Sequence, residues 1–327
     1  MRIPLLVLAL IALCAPALAQ TPAPVPVTVS SPDGTLTVSV TTDGDGRPGY
    51  AVSRLGRSVI APSRLGFILT DAPKLERNLV VTADAATHHD DTWEQPWGEQ
   101  RFIRNHYREL RVHLRERTAP ARAFDVVFRL YDDGLGFRYE FATQENLTTL
   151  RIGSELTEFN IAEDGEAWWI PSHEWNREEY LYHRTPIAGA SNTQTPMTMR
   201  LDSGLHVSIH EAALVDYAGM NLRRAEGRRF VADLTPGFTN AAVEREAPFH
   251  TPWRTLQISD TAGGLVESAL ILNLNEPNAI GDVSWFKPMK YVGVWWEMHL
   301  DQKTLSLIHI SEPTRLRRIS YAVFCLK

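Results

Sequence analysis

The sequence predicts an all-β protein, a β-sandwich of unusual size, and three features carry that reading. Short runs in which apolar and polar residues alternate recur from Val27 to about residue 275, the period of a half-buried strand. Turn signals punctuate them: Asp33-Gly34, residues 43–46 (DGDG) and Asp132-Asp133-Gly134 each separate two such runs. Helical stretches of ten or more residues do not intervene between the runs, which argues for a sandwich over a parallel sheet with crossover helices.

Taken in order, residues 1–19 read as a secretory signal. Arg2 gives a charged start, residues 5–14 an apolar run too short to span a bilayer, and Ala17-Leu18-Ala19 a small-x-small cleavage pattern before Gln20. The expectation is a periplasmic or secreted protein cut between Ala19 and Gln20, with no membrane attachment afterwards. Removing the segment leaves Cys325 as the sole cysteine, so no intramolecular disulfide is available. A Pro-rich lead-in, 20–25, precedes the sandwich, assigned to 20–285. Its clearest strands are 109–116, 124–131, 136–141, 197–201, 205–211, 229–234 and 255–259. Only short pieces such as 174–182 read as helical, and no fixed-period repeat occurs.

Near residue 285 the pattern changes. Residues 291–296 (YVGVWW) are apolar on both faces, as in a doubly covered parallel strand, so a second, α/β domain is expected to begin here. From about Leu305 the text has neither helical period nor strand alternation. It carries Cys325 and three arginines in four residues, Arg315, Arg317 and Arg318. The net charge of −6 argues against a nucleic-acid partner.

Chemistry is concentrated in three stretches. In 205–220 (LHVSIHEAALVDYAGM), Leu205, Val207 and Ile209 alternate with polar residues, and Glu211 falls next in phase with the apolar set. A carboxylate there is paired, bound to a cation or turned into a cleft, because burying it bare costs several kcal/mol. A rim carboxylate satisfied by water or an arginine is the plainer alternative. Residues 93–110 (WEQPWGEQRFIRNHYREL), read as a loop leading into a strand, combine tryptophans with carboxylates and amides in the way a sugar ring requires; Trp97 and Glu99 are its candidate substrate contacts. A surface loop pinned by its tryptophans explains the same text equally well. Residues 168–184 read as a solvated helix with a Trp anchor, and His88-His89-Asp90-Asp91 as a polar turn. HExxH, CxxC and serine-elbow patterns are absent from the sequence.

Several of these stretches together resemble glycoside hydrolase family 97, bacterial calcium-dependent α-glucosidases and α-galactosidases. The matching text is SPDG at 31–34, WEQPWGEQRFIRNHYREL at 93–110, YDDGLGFRYEF at 131–141 and TPMTMR at 195–200. It continues with HEAALVDYAGM at 210–220, TPWRTLQISD at 251–260, LNLNEP at 272–277 and SWFKPMKYVGVWWEMHL at 284–300. The resemblance implies a large mutarotase-like β-sandwich followed by a (β/α)8 barrel, of which 286–304 would be the first strand, with Trp296 a stacking platform at its C-terminal end. It implies that Glu211 helps hold the active-site calcium, while the other calcium ligands and the acid and base lie on later barrel strands. Residues 305–327 depart from the family and look like translated adapter read-through.

The resemblance therefore implies the sandwich of an enzyme acting on an α-linked oligosaccharide. This chain, lacking the later barrel strands, is expected neither to hold calcium stably nor to catalyse. Two alternatives stand beside it: a stand-alone carbohydrate-binding module, and a structural buttress for the barrel.

Overall fold

A computed structural model of the chain describes residues 25–174 and 179–288. Its strand pairs are antiparallel throughout. Seven strands form one sheet, in the order Val27–Ser30, Leu36–Thr42, Pro48–Arg54, Arg57–Arg64, Glu158–Ile161, Arg229–Leu234 and Met220–Glu226. Eleven form the larger sheet. Its path runs His183–Pro186, Gly165–Trp169, Met197–Leu201, His206–Ala212, Trp253–Ser259, Gly134–Phe141, Ala123–Tyr131, Phe102–Glu116 and Leu79–Ala83. Thr87–Glu94 pairs with Phe102–Glu116, and Phe249–His250 with Gly134–Phe141. A three-stranded sheet, Val243–Glu246, Thr149–Glu155 and Phe67–Leu69, completes the set. The expected all-β sandwich is what forms.

The alternation read in the sequence becomes the core. Leu36, Val38 and Val40 are buried from the smaller sheet, and Leu110, Val112 and Leu114 from the larger; both rows belong to one continuous apolar cluster. At its centre Phe137 lies 4.9 Å from Tyr50 and 5.3 Å from Phe128, centroid to centroid, so aromatic rings from opposite sheets interdigitate. The Tyr50 hydroxyl donates to the Glu158 carbonyl at 2.8 Å, which satisfies the one polar atom that this ring brings into the core.

Sheet closure also depends on one close backbone approach. Gly134 opens the strand Gly134–Phe141 with φ 152°, and a Cβ there would sit 2.2 Å from the Leu256 carbonyl oxygen. Gly134→Ala is expected to cost about 1–3 kcal/mol through this overpacking. In a urea titration the midpoint should fall while the slope is unchanged.

Three local expectations are corrected. Within 93–110 a loop does feed a strand, but it is shorter than read: only 95–101 is loop, and it joins Thr87–Glu94 to Phe102–Glu116 in a long hairpin arm. The same pairing puts His88 to Asp91 in a strand rather than a polar turn. Charged residues dominate here because the arm overhangs the core, so neither face needs a continuous apolar row. In the 168–184 region the described residues hold the strand ends Trp169 and His183 and no helix; residues 175–178 lie outside the described set. The described α-helices are Ala262–Glu267 and Leu270–Leu274. Thr261 caps the first by accepting from Gly264 N at 3.1 Å. The second drops Leu270 and Leu274 onto Tyr131, Ala212, Ala213 and Trp253 on the outer face of the large sheet. Both are too short to show a helical period in sequence. No described helix is long and apolar enough to cross a membrane.

Candidate functional site

Glu211 sits where its phase places it. In the strand His206–Ala212, Val207 and Ile209 are fully buried and Glu211 is 8 % exposed. Its register partner on the neighbouring strand is Arg254, which shares an inward phase with Leu256 and Ile258. Two facing core positions thus carry opposite charges. Arg254 is completely buried and gives Nη1 to Glu211 Oε2 at 2.7 Å. Its Nε and Nη2 engage Glu155, itself 1 % exposed, at 2.9 and 2.6 Å.

The network extends on both sides. Thr157 Oγ1 donates to Glu155 Oε1 at 2.7 Å and lies 2.7 Å from the Tyr139 hydroxyl. The backbone N–H of Met220 donates to Glu211 Oε1 at 2.9 Å. The Tyr217 hydroxyl is buried without a hydrogen-bond partner, and the Arg254 guanidinium lies 5.7 Å from that ring's centroid. Burial pushes the Tyr217 hydroxyl far up, so it stays protonated.

Electrostatically the cluster is one cation short. Burial opposes the Arg254 charge, but Glu155 and Glu211 outweigh it and keep the guanidinium protonated. A single guanidinium then serves two carboxylates, leaving one negative charge in excess when both are ionised. Burial raises the Glu211 carboxyl above its ordinary range, only partly offset by Arg254 and the Met220 N–H. A Glu211→Gln variant is therefore expected to lose less stability than wild type as pH rises from about 4.5 to 7. The sign follows from the raised folded-state pKa, which makes ionisation costly in the native state; chemical denaturation at the two pH values checks it.

Glu211 is the deepest carboxylate of a cleft of about 210 Å³, lined also by His173, Thr195, His210, Gly219 and Asn221. His173 Nε2 pairs with Asp233 Oδ2 at 2.5 Å. His210 Nδ1 contacts Thr195 Oγ1 at 3.1 Å, and burial lowers its pKa, so it is neutral at pH 7. The cleft thus offers neutral imidazole, hydroxyl and amide groups around the partly paired Glu211, with the exposed Glu174 also on its wall.

The other sequence candidates do not meet Glu211. Trp97 packs against Phe286, centroids 4.4 Å apart, and Glu99 is exposed in the loop 95–101; neither lines the Glu211 cleft. Trp296 lies outside the described residues. Sequence reading missed Glu155 and Arg254. Arg254 stands in phase with Leu256 and Ile258, the same signal that singled out Glu211. Glu155 closes its strand beside Leu156 and has no such phase. Among the described residues, no group of three or more His, Cys, Asp or Glu is placed to hold a metal ion. Calcium requires six to eight oxygens, and the cleft floor supplies one carboxylate. The described residues of the cleft floor therefore offer one carboxylate where a full calcium shell needs several more oxygens.

Fold and cleft together define a large antiparallel sandwich domain that presents one buried carboxylate at its rim. The chain belongs to the family described as Glycosyl-hydrolase 97 N-terminal, which matches residues 29–277. It is similar to a glycoside hydrolase family 97 enzyme from Pseudoalteromonas sp. strain K8, solved in complex with panose and with acarbose. The identity is 42%, with a TM-score of 0.80, covering 84% of this chain and 41% of that one. It is 22% identical to a retaining alpha-galactosidase of Bacteroides thetaiotaomicron over 89% of this chain and 47% of that protein. A probable retaining alpha-galactosidase of Streptomyces bingchenggensis is 26% identical over 81% of this chain and 39% of that protein. The chain thus spans less than half the length of the curated relatives it matches.

Proposed function

We propose that this sandwich completes the active site of a larger exported α-glycosidase by presenting Glu211 as one ligand of a calcium ion shared with a barrel domain. The observation that carries the reading is the uncompensated charge at the cleft floor. Arg254 fixes one Glu211 oxygen and is itself committed to Glu155, so a cation at the mouth relieves a deficit that the domain does not resolve alone. The same electrostatics explain why burial leaves the Glu211 carboxyl raised. Bound there, calcium would contribute positive charge beside the substrate.

Hydrolysis itself needs two carboxylates flanking the bond, about 5–5.5 Å apart for retention or 6.5–9.5 Å for inversion. Glu155 is not the second one, since it is buried and bound bidentately by Arg254. The acid and base are accordingly assigned to the barrel. The substrate class favoured is an α-linked oligosaccharide of the panose type, following the more similar relative; α-galactosides are the runner-up.

A chimera tests this reading. Residues 25–288, exchanged for the matching domain of the Pseudoalteromonas enzyme, are expected to support hydrolysis of a nitrophenyl α-glucoside. Glu211→Gln in that chimera should lower kcat/KM by about a hundredfold or more and raise the calcium concentration for half-maximal rate. Equal activity of the two forms at limiting calcium would remove Glu211 from the site.

A further inference from the structure

The hairpin arm carries a second group of chemistry-bearing side chains, away from the Glu211 cleft. On the paired strands Thr87–Glu94 and Phe102–Glu116, Asp90 lies opposite His106 and His88 opposite Arg108. His88 and His106 are therefore diagonal neighbours on one face of the ribbon. Their Nε2 atoms are 3.0 Å apart, with the rings nearly perpendicular. The opposite face of the ribbon is held down, where Trp93 Nε1 donates to Asn273 Oδ1 at 2.9 Å. The imidazoles thus face outward from an anchored support.

The charges around the pair are fixed. Asp90 is gripped by Arg104 at 2.9 and 2.8 Å, and that guanidinium is the main reason its carboxyl stays below the usual range. Asp90 also feels both imidazoles, and Asp132 feels His106. Arg108, opposite His88, is the opposing cation. With Arg104 neutralised by Asp90, Arg108 is the remaining positive charge beside the pair and Asp132 the negative charge that His106 faces.

We propose that His88 and His106 form a bidentate site for a divalent transition metal of tetragonal preference, copper(II) first and nickel(II) next. Metal–imidazole bonds are about 2.0–2.1 Å, so two nitrogens 3.0 Å apart subtend an angle just over about 90° at the metal. That is the angle between adjacent positions of a square-planar or tetragonal ion; a tetrahedral ion needs nitrogens about 3.4 Å apart. The spacing suits copper and nickel, and the general affinity order puts copper above both nickel and zinc. In the metal-free pair one Nε2–H donates to the other Nε2. On binding, that proton resides on Nδ1 of the same ring, so both neutral imidazoles coordinate through Nε2 and no proton is lost. Water fills the remaining positions.

The test is copper(II) titration of the untagged full chain, followed by calorimetry and by electron paramagnetic resonance. The expected result is one tetragonal copper per chain with two nitrogen ligands. His88→Gln and His106→Gln should each weaken binding at least about tenfold, the size of effect that even an outer-shell change produces. Zinc should bind more weakly than copper. Both side chains reach solvent, so the variants are expected to keep the wild-type circular dichroism and melting temperature. Copper affinity unchanged in both variants, a signal lacking two nitrogens, or no binding at all would each overturn the proposal.

Discussion

Arg254→Met is expected to destabilise the domain by about 3–5 kcal/mol at pH 7. The side chain is fully buried and is the shared cation of Glu155 and Glu211. Methionine fills much of the space but leaves two carboxylates facing each other with no positive charge between them. Each must then be buried ionised or protonated, and burial favours protonation. The Glu211 carboxyl, already raised by burial, loses the guanidinium that partly offsets it, so the deficit relative to wild type should be small below the unfolded carboxylate pKa of about 4.3. It should grow as pH rises through the raised folded value. Urea denaturation of the two proteins at pH 4.5 and 7 measures this difference. Taking the difference cancels the other carboxylates, such as Glu116 and Glu140, whose lowered pKa values destabilise both proteins equally in acid. A deficit independent of pH would mean that Arg254 contributes packing and not charge.

Phe137→Ala should be comparably damaging for an unrelated reason. Phe137 is fully buried and touches rings contributed by both sheets, Tyr50 from the smaller and Phe128 from the larger. Removing it leaves a cavity where neither sheet can move inward without breaking its own ladder. The expected cost is about 3–5 kcal/mol, a fall in melting temperature on the order of 10 °C for a domain of this size. In contrast to Arg254→Met, this loss should be the same at pH 4.5 and pH 7. The two variants therefore separate the charged cluster from the apolar core.

Much of this organisation was legible in the sequence. Met197–Leu201 and Arg229–Leu234 coincide with the predicted runs: Met197, Met199 and Leu201 in the first, and Phe230, Ala232 and Leu234 in the second, form a buried face, and that period is written as alternation. The turn read at Asp132-Asp133-Gly134 does join Ala123–Tyr131 to Gly134–Phe141. The hairpin arm was not legible for the opposite reason. His88 to Asp91 overhang the core, so burial leaves no period in them, and a run of charged residues reads as a turn. The helices Ala262–Glu267 and Leu270–Leu274 are each less than two turns long, and the second is held by packing on Trp253 and Tyr131.

For the site, phase alone placed Glu211 correctly at the buried end of its strand. What phase does not reveal is the identity of its partner, since Arg254 reaches it through sheet register and Glu155 comes from a different sheet. Both alternatives weighed for Glu211 hold one part of the observation. It is satisfied by an arginine, and it also lines a cleft. The arginine is shared, and that sharing gives the carboxylate its unsatisfied charge.

The central claim is that the sandwich supplies a carboxylate to a glycosidase site without carrying the catalytic pair. Hydrolysis of nitrophenyl α-glucoside and α-galactoside by the purified full chain, with calcium present, tests it most directly. The predicted rate is that of a heat-killed control. Turnover clearly above that control would contradict the account.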